Sequence, residues 1–201
     1  MMPLMLLLSS VALADEGELW TEASAQFRVA DDWKLGVEES FRLHTDPNRG
    51  PGLLTNLDVA YRTTDWLSLG LGYRVGAADI GKGTDTVHRV HVEAEAGQGK
   101  DLEWEVRARL QHRFVRDDTV ARLRAGLSLD RPVQPVISAE GFFDLRAARL
   151  DRVRLRAGVR TETGPVRWSI DYQLEQPTLS TEARHHIIGL GMKVKVDLRR
   201  D

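Results

Sequence analysis

Residues 102–114 read LEWEVRARLQHRF, and the fold turns on how they are read. Leu102, Trp104, Val106, Ala108, Leu110 and Phe114 share one parity. Glu103, Glu105, Arg107, Arg109, Gln111 and Arg113 share the other. A repeat of two marks an extended strand, because successive side chains point to opposite faces. The strand therefore has a charged face and an almost unbroken apolar face. A soluble barrel or sandwich would turn the apolar face inward. A barrel in a membrane would turn it toward lipid and keep a polar lumen.

The same period runs outward in both directions. Candidate strands are 19–29, 33–45, 53–63, 66–75, 87–96, 102–114, 119–130, 135–145, 152–162, 166–176 and 185–198. Turn formers separate them: ADD, DPNRGPG, TTD, GAADIGKGTDT, GQGKD, RDD, DRPVQP, RAARL, TGP and QPTLSTEA. In the ninth, Val153, Leu155, Ala157 and Val159 oppose Arg152, Arg154, Arg156 and Arg160. In the tenth, Val166, Trp168, Ile170, Tyr172 and Leu174 oppose Arg167, Ser169, Asp171, Gln173 and Glu175. No stretch has trustworthy helical spacing, and no propeller or solenoid signature recurs.

Three features put lipid on the outside. Trp33, Trp66, Trp104 and Trp168 each follow a short turn, as an aromatic girdle at one membrane interface requires. Short connections alternate with mostly longer ones, and in membrane barrels the short side is periplasmic. Gly36, Gly70, Gly72, Gly126, Gly158, Gly189 and Gly191 all fall on the charged face, where a narrow lumen needs room. Each strand also exceeds or matches the roughly 9–11 residues that a tilted strand needs to cross. The expectation is an all-β, up-and-down antiparallel transmembrane β-barrel of about 10–12 strands. Eleven are counted, although such barrels usually have an even number. Strands two to eleven give ten, with the first as an extra hairpin arm; the alternative is one strand more or fewer than counted.

The totals are consistent with this. The 201 residues carry 28 basic and 30 acidic side chains, a net charge of −2, which gives no reason to expect nucleic acid as partner. There are no cysteines, so disulfide and thiolate chemistry are excluded. Residues 1–14 read as a signal peptide: the apolar run Leu4–Leu8 leads to Ala12-Leu13-Ala14, with Asp15 as first mature residue. No Lys or Arg precedes that run. Residues 15–201 form the barrel domain, with the bacterial outer membrane as its expected location.

ELWTEASAQFRVADDWKLGVEESFRL and YRTTDWLSLGLGYR combine a Trp-led strand ending in Arg with a Trp-led strand ending in Gly-x-Gly-Tyr-Arg. In these features the chain resembles the domain of unknown function 2490 group of Gram-negative outer-membrane proteins, loosely over almost the whole mature chain. The resemblance implies an outer-membrane barrel and supplies no activity and no functional residues. The chain ends VKVDLRRD, without the terminal Phe that many such barrels carry.

The chemistry-bearing residues do not converge in the sequence. His88 falls on the lipid face and His91 on the lumen face, and His185 and His186 point opposite ways. With His44 and His112 they supply no set of three or four metal ligands, so no metal and no cofactor are expected. Ser180, Glu182 and His185 are near one another on a long loop, the raw material of a hydrolase site at the extracellular rim.

The charges carry more. Arg89, Arg107, Arg109, Arg113, Arg122 and Arg124 gather toward the loop rim, and Glu93, Glu95, Glu103 and Glu105 toward the short-turn rim. This would make a lumen basic above and acidic below; the alternative is that the clusters pair with the opposite wall. Arg152, Arg154 and Arg156 complete the basic lining, with Glu140 and Asp171 on the acidic side. Folding hairpins about their turns places Arg152 near Asp144 and Glu175, and Arg156 near Glu140 and Asp171.

The expected function is a small, porin-like outer-membrane barrel, structural or transport-related and not an enzyme. Its expected partners are outer-membrane lipid and the barrel-assembly machinery. The alternatives are a rim hydrolase and a soluble periplasmic binding barrel.

Overall fold

The computed structural model describes residues 16–199 apart from 82, 100–101, 116 and 179–183; residues 1–14, expected as a signal peptide, lie outside them. Eleven strands follow in chain order: β1 (Glu16–Arg28), β2 (Trp33–His44), β3 (Gly52–Arg62), β4 (Leu67–Ala78), β5 (Asp85–Gln98), β6 (Leu102–Arg113), β7 (Asp118–Leu129), β8 (Val133–Asp144), β9 (Arg149–Thr163), β10 (Val166–Pro177) and β11 (His185–Asp197). Each corresponds to one alternating segment of the sequence. The strands pair in order into a closed barrel. No described helix is long and apolar enough to cross a membrane, so any crossing is by strands.

Two expectations need correction. β1 is not an extra hairpin arm: it closes the barrel, pairing with β2 on one side and β11 on the other. Nor is every pair antiparallel. With an odd number of up-and-down strands the first and last run the same way, so the closing pair is parallel, Glu16 opposite His185 and Arg28 opposite Asp197. Closure leaves no exposed edge.

The faces are settled by exposure. Leu57, Leu123 and Leu155 are 50%, 50% and 52% exposed, whereas Asn56, His91 and Gln111 are 3%, 2% and 4% exposed. That is the inverse of a soluble core and fits lipid outside. Thus the Leu102, Trp104, Val106 and Leu110 side chains face outward, and the charges of the same strand face the lumen. A soluble binding barrel would need an apolar interior, and the described interior is polar. Connections on one rim span 29–32, 63–66, 99–101, 130–132 and 164–165. Those on the other span 45–51, 79–84, 114–117, 145–148 and 178–184. Trp33, Trp66, Trp104 and Trp168 are exposed beside the short-turn rim.

The inward glycines make room for lumen side chains. A Cβ on Gly72 would run into His91 and Asp58. One on Gly158 would meet Asp171 Cβ and the Ile170 carbonyl oxygen, both at 2.5 Å. Gly36 has only Asp58 nearby, at 3.6 Å. Gly158→Val is therefore expected to destabilise the barrel by about 1–3 kcal/mol, the usual range for overpacking. Gly36→Ala should be almost neutral. Urea titrations of the two variants refolded into vesicles check the contrast.

The β8–β9 hairpin departs from simple folding about its turn. Phe142 faces Arg152 while Phe143 faces Leu150, so Asp151 is an extra residue and a bulge shifts the register. In the observed register Asp144 already faces Arg149 rather than Arg152 beside the turn, and Arg154, not Arg156, lies opposite Glu140.

Candidate functional site: a charged lumen in two chambers

Inward parity on eleven strands creates a lumen with two cavities. The loop-side chamber measures about 620 Å³ and the short-turn chamber about 680 Å³. Arg89, Arg107, Arg109, Arg113, Arg122, Arg124, Arg152, Arg154 and Arg156 all line the loop-side chamber, as do Glu140 and Asp171. Glu93, Glu95, Glu103 and Glu105 line the other. The two chambers share Glu22, Glu38, Arg107, Arg109, Arg124 and Arg156.

This shared belt is densely ion-paired. Arg109 Nη2 lies 2.7 Å from Glu93 Oε2, and Arg156 Nη2 lies 2.5 Å from Asp171 Oδ2. Arg107 pairs with Glu95 and Arg124 with Glu105. Arg74 meets Glu38 at 3.2 Å just beside them. Charges in a poorly hydrated wall need such partners, because an unpaired one costs several kcal/mol.

The chambers on either side of the belt differ in charge. The loop-side lining carries twelve arginines against six carboxylates among the described residues. Glu175, sunk into the wall, takes up Arg152 and Arg154, and Glu140 takes up Arg122 and Arg154. The expectation of an acidic lower chamber is corrected. Lys34, Arg160, Arg167 and Lys193 on the opposite wall bring its basic groups level with its carboxylates.

Two arginines of the loop-side chamber have no carboxylate within ion-pair distance among the described residues, Arg42 and Arg89. Arg89 is surrounded by like charges, Arg42, Arg74, Arg113 and Arg122. Arg42 lies over the Trp20 ring at 4.0 Å, and Arg154 approaches the same ring at 5.0 Å. Phe142 seats Arg122 at 4.6 Å. Cation–π contacts hold these guanidinium groups in place without neutralising them. The Nε atoms of Arg42 and Arg122 are buried with no acceptor.

At the loop rim a second cluster centres on Glu18. Its carboxylate accepts from Trp20 Nε1 at 2.6 Å, contacts His185 Nδ1 at 3.2 Å and His44 Nδ1 at 3.3 Å, and has Arg49 3.7 Å away. Glu16 adds a contact to His185 at 3.3 Å. His185 was expected beside Ser180 and Glu182, and those two lie outside the described residues. The remaining histidines do not converge. His91 faces the lumen and meets Asp58 at 3.1 Å. His88, His112 and His186 face outward, against Tyr73, Thr119 and Tyr172.

Sequence reading missed Glu18 and Arg42, and named His44 only among histidines that do not converge. The alternation Glu18-Leu19-Trp20-Thr21-Glu22 marks Glu18, Trp20 and Glu22 as inward residues. Their importance comes from β1 lying against β11, which no local pattern reveals.

A closed β-barrel with an apolar exterior and a charged interior defines an outer-membrane-type barrel. The family model described as "Protein of unknown function (DUF2490)" matches residues 17–180, and the chain belongs to that family. Among solved structures the barrel is similar to LpxR from Salmonella typhimurium, with a TM-score of 0.55, 10% identity, and 81% of this chain and 83% of that chain covered. Comparison with curated proteins finds no match. The likeness to LpxR overturns one expectation. LpxR is an enzyme built on this fold, so the expectation that the present chain is not an enzyme is withdrawn.

Proposed function

We propose that the protein is an outer-membrane, transport-related barrel that receives anions at its loop rim and closes its lumen with the ion-paired belt. The observation that carries this is the pair of uncompensated cations, Arg42 and Arg89, aimed into a 620 Å³ chamber already rich in arginine. Buried cations gain most from a ligand that brings the missing charge, and guanidinium forks suit phosphate and carboxylate oxygens. The partners of this reading are outer-membrane lipid around the wall and the assembly machinery that inserts it. Calorimetry with inorganic pyrophosphate tests it. Saturable binding should appear in about 0.1 M salt and weaken toward 1 M, as the Debye length falls from about 10 Å to about 3 Å. Absence of binding at low salt would end the proposal.

A second reading rests on the Glu18–His185–His44 cluster. A histidine held by a carboxylate is the arrangement that activates water or a hydroxyl group, and here it stands at the mouth of the anion chamber. A rim hydrolase acting on anionic lipid or peptide would use His185 as base and Arg49 to orient substrate. Screening lipid and peptide substrates with the wild type and with His185→Ala separates this reading from the first. Turnover lost in the variant would favour it.

A further inference from the structure

Every Asp, Glu, Lys and Arg of the described strands follows the inward parity, away from the rims, except Glu39. On β2 it shares the outward face with Leu35, Phe41 and Leu43, all exposed. It lies six residues beyond Trp33. At about 3.3 Å per residue and a tilt of about 40°, that is roughly 15 Å above the Trp33 girdle. An apolar band is about 25 Å tall, so Glu39 stands near its middle. A carboxylate there is costly, and ionisable groups at such depth mark functional contacts.

The surroundings of Glu39 are also unlike the rest of the wall. Across the ladders it faces Ala23 on β1 and Thr55 on β3. Thr55 Oγ1 donates to Glu39 Oε1 at 2.7 Å. The outward residues of β1 here are Thr21, Ala23 and Ala25, a shallow furrow beside the larger Phe41, Leu53 and Leu57. Close-packing small residues with a polar group among them is how protein surfaces associate inside lipid, where apolar contact alone gives no driving force.

We propose that this patch of β1–β3 is the interface of a homodimer, a second copy of the chain packing against it about a two-fold axis. The chemistry of the patch selects that occupant. It carries both halves of a hydrogen bond, the Glu39 carboxylate, which can accept more than the Thr55 hydroxyl gives it, as acceptor and the Thr21 hydroxyl as donor. A two-fold axis lets each copy satisfy the other, as an isologous contact requires. Ridge and furrow lie side by side and are complementary under the same operation. The inference rests on the lipid-facing placement of the outer wall and is independent of anion binding in the lumen.

The absence of native cysteine makes a direct test possible. Ala23→Cys and, on the far wall, Leu123→Cys are each treated in native membranes with a short bis-maleimide. The Ala23 variant should give a cross-linked species of twice the chain mass, and the Leu123 variant should give none. Native mass spectrometry of the wild type should show a dimer. Glu39→Leu should give a folded monomer, and Glu39→Gln, which keeps an acceptor, should stay dimeric. A wild-type monomer, a dimer that survives Glu39→Leu, or cross-linking of Ala23→Cys only to a different protein would each overturn the proposal.

Discussion

Leu110→Arg is expected to abolish membrane insertion, whereas Arg109→Leu, its neighbour by one residue, should insert. Leu110 lies on the exposed outer wall, and a basic side chain on the lipid face at mid-bilayer costs about 2–4 kcal/mol. Arg109 points into the lumen, 2.7 Å from Glu93. Its loss leaves Glu93 unpaired in the belt, so the variant should be destabilised without being misplaced. Adding Glu93→Gln should recover most of that loss, because an unsatisfied charge costs more than the ion pair contributes. Heat-modifiable gel mobility reports whether each variant folds, and urea titration reports by how much. Equal failure of Leu110→Arg and Arg109→Leu would contradict the facing of the strands.

The second large effect concerns the free cations. Arg42→Gln together with Arg89→Gln should weaken pyrophosphate binding on the order of 100-fold. A hydrogen bond to a charged group contributes about 1.5–3 kcal/mol, and about 1.4 kcal/mol corresponds to a factor of ten. The same double variant should resist urea better than the wild type, since Arg89 sits among Arg42, Arg74, Arg113 and Arg122 and has no carboxylate of its own within ion-pair distance among the described residues. Lost binding with gained stability is the mark of residues kept for function at a cost to the fold. A purely structural role would give the reverse sign of stability change.

How far the sequence could be read depended on whether information was local. Period-two alternation is a property of each strand by itself, so all eleven segments and the inward set from Arg89 to Arg156 were visible without coordinates. The β8–β9 register was not, because the turn itself sets it and a single extra residue at Asp151 then moves every later partner by one position. The role of β1 was hidden for a different reason. Its parallel contact with β11 joins residues about 170 apart, and neither segment carries a mark of the other. That contact brings His185 to Glu18, while β2 on the other side brings Arg42 to Trp20. The lower chamber looked acidic from strands five and six alone and is balanced by cations from walls that only closure brings round.

Charge-selective thiol modification tests the central claim, an anion-attracting loop-side chamber, most directly. Ser138→Cys places the chain's single thiol where the two chambers meet, opposite Arg156. Ser68→Cys places it in the short-turn chamber, opposite Glu95. Anionic and cationic methanethiosulfonates are added to intact cells for the first and to vesicles open on the short-turn side for the second, each rate normalised to that of a free thiol. At position 138 the anionic reagent should react faster, with the advantage shrinking toward unity in about 1 M salt as screening sets in. At position 68 it should have no advantage. A cationic reagent that is equal or faster at position 138 would contradict the assignment of that chamber to anions.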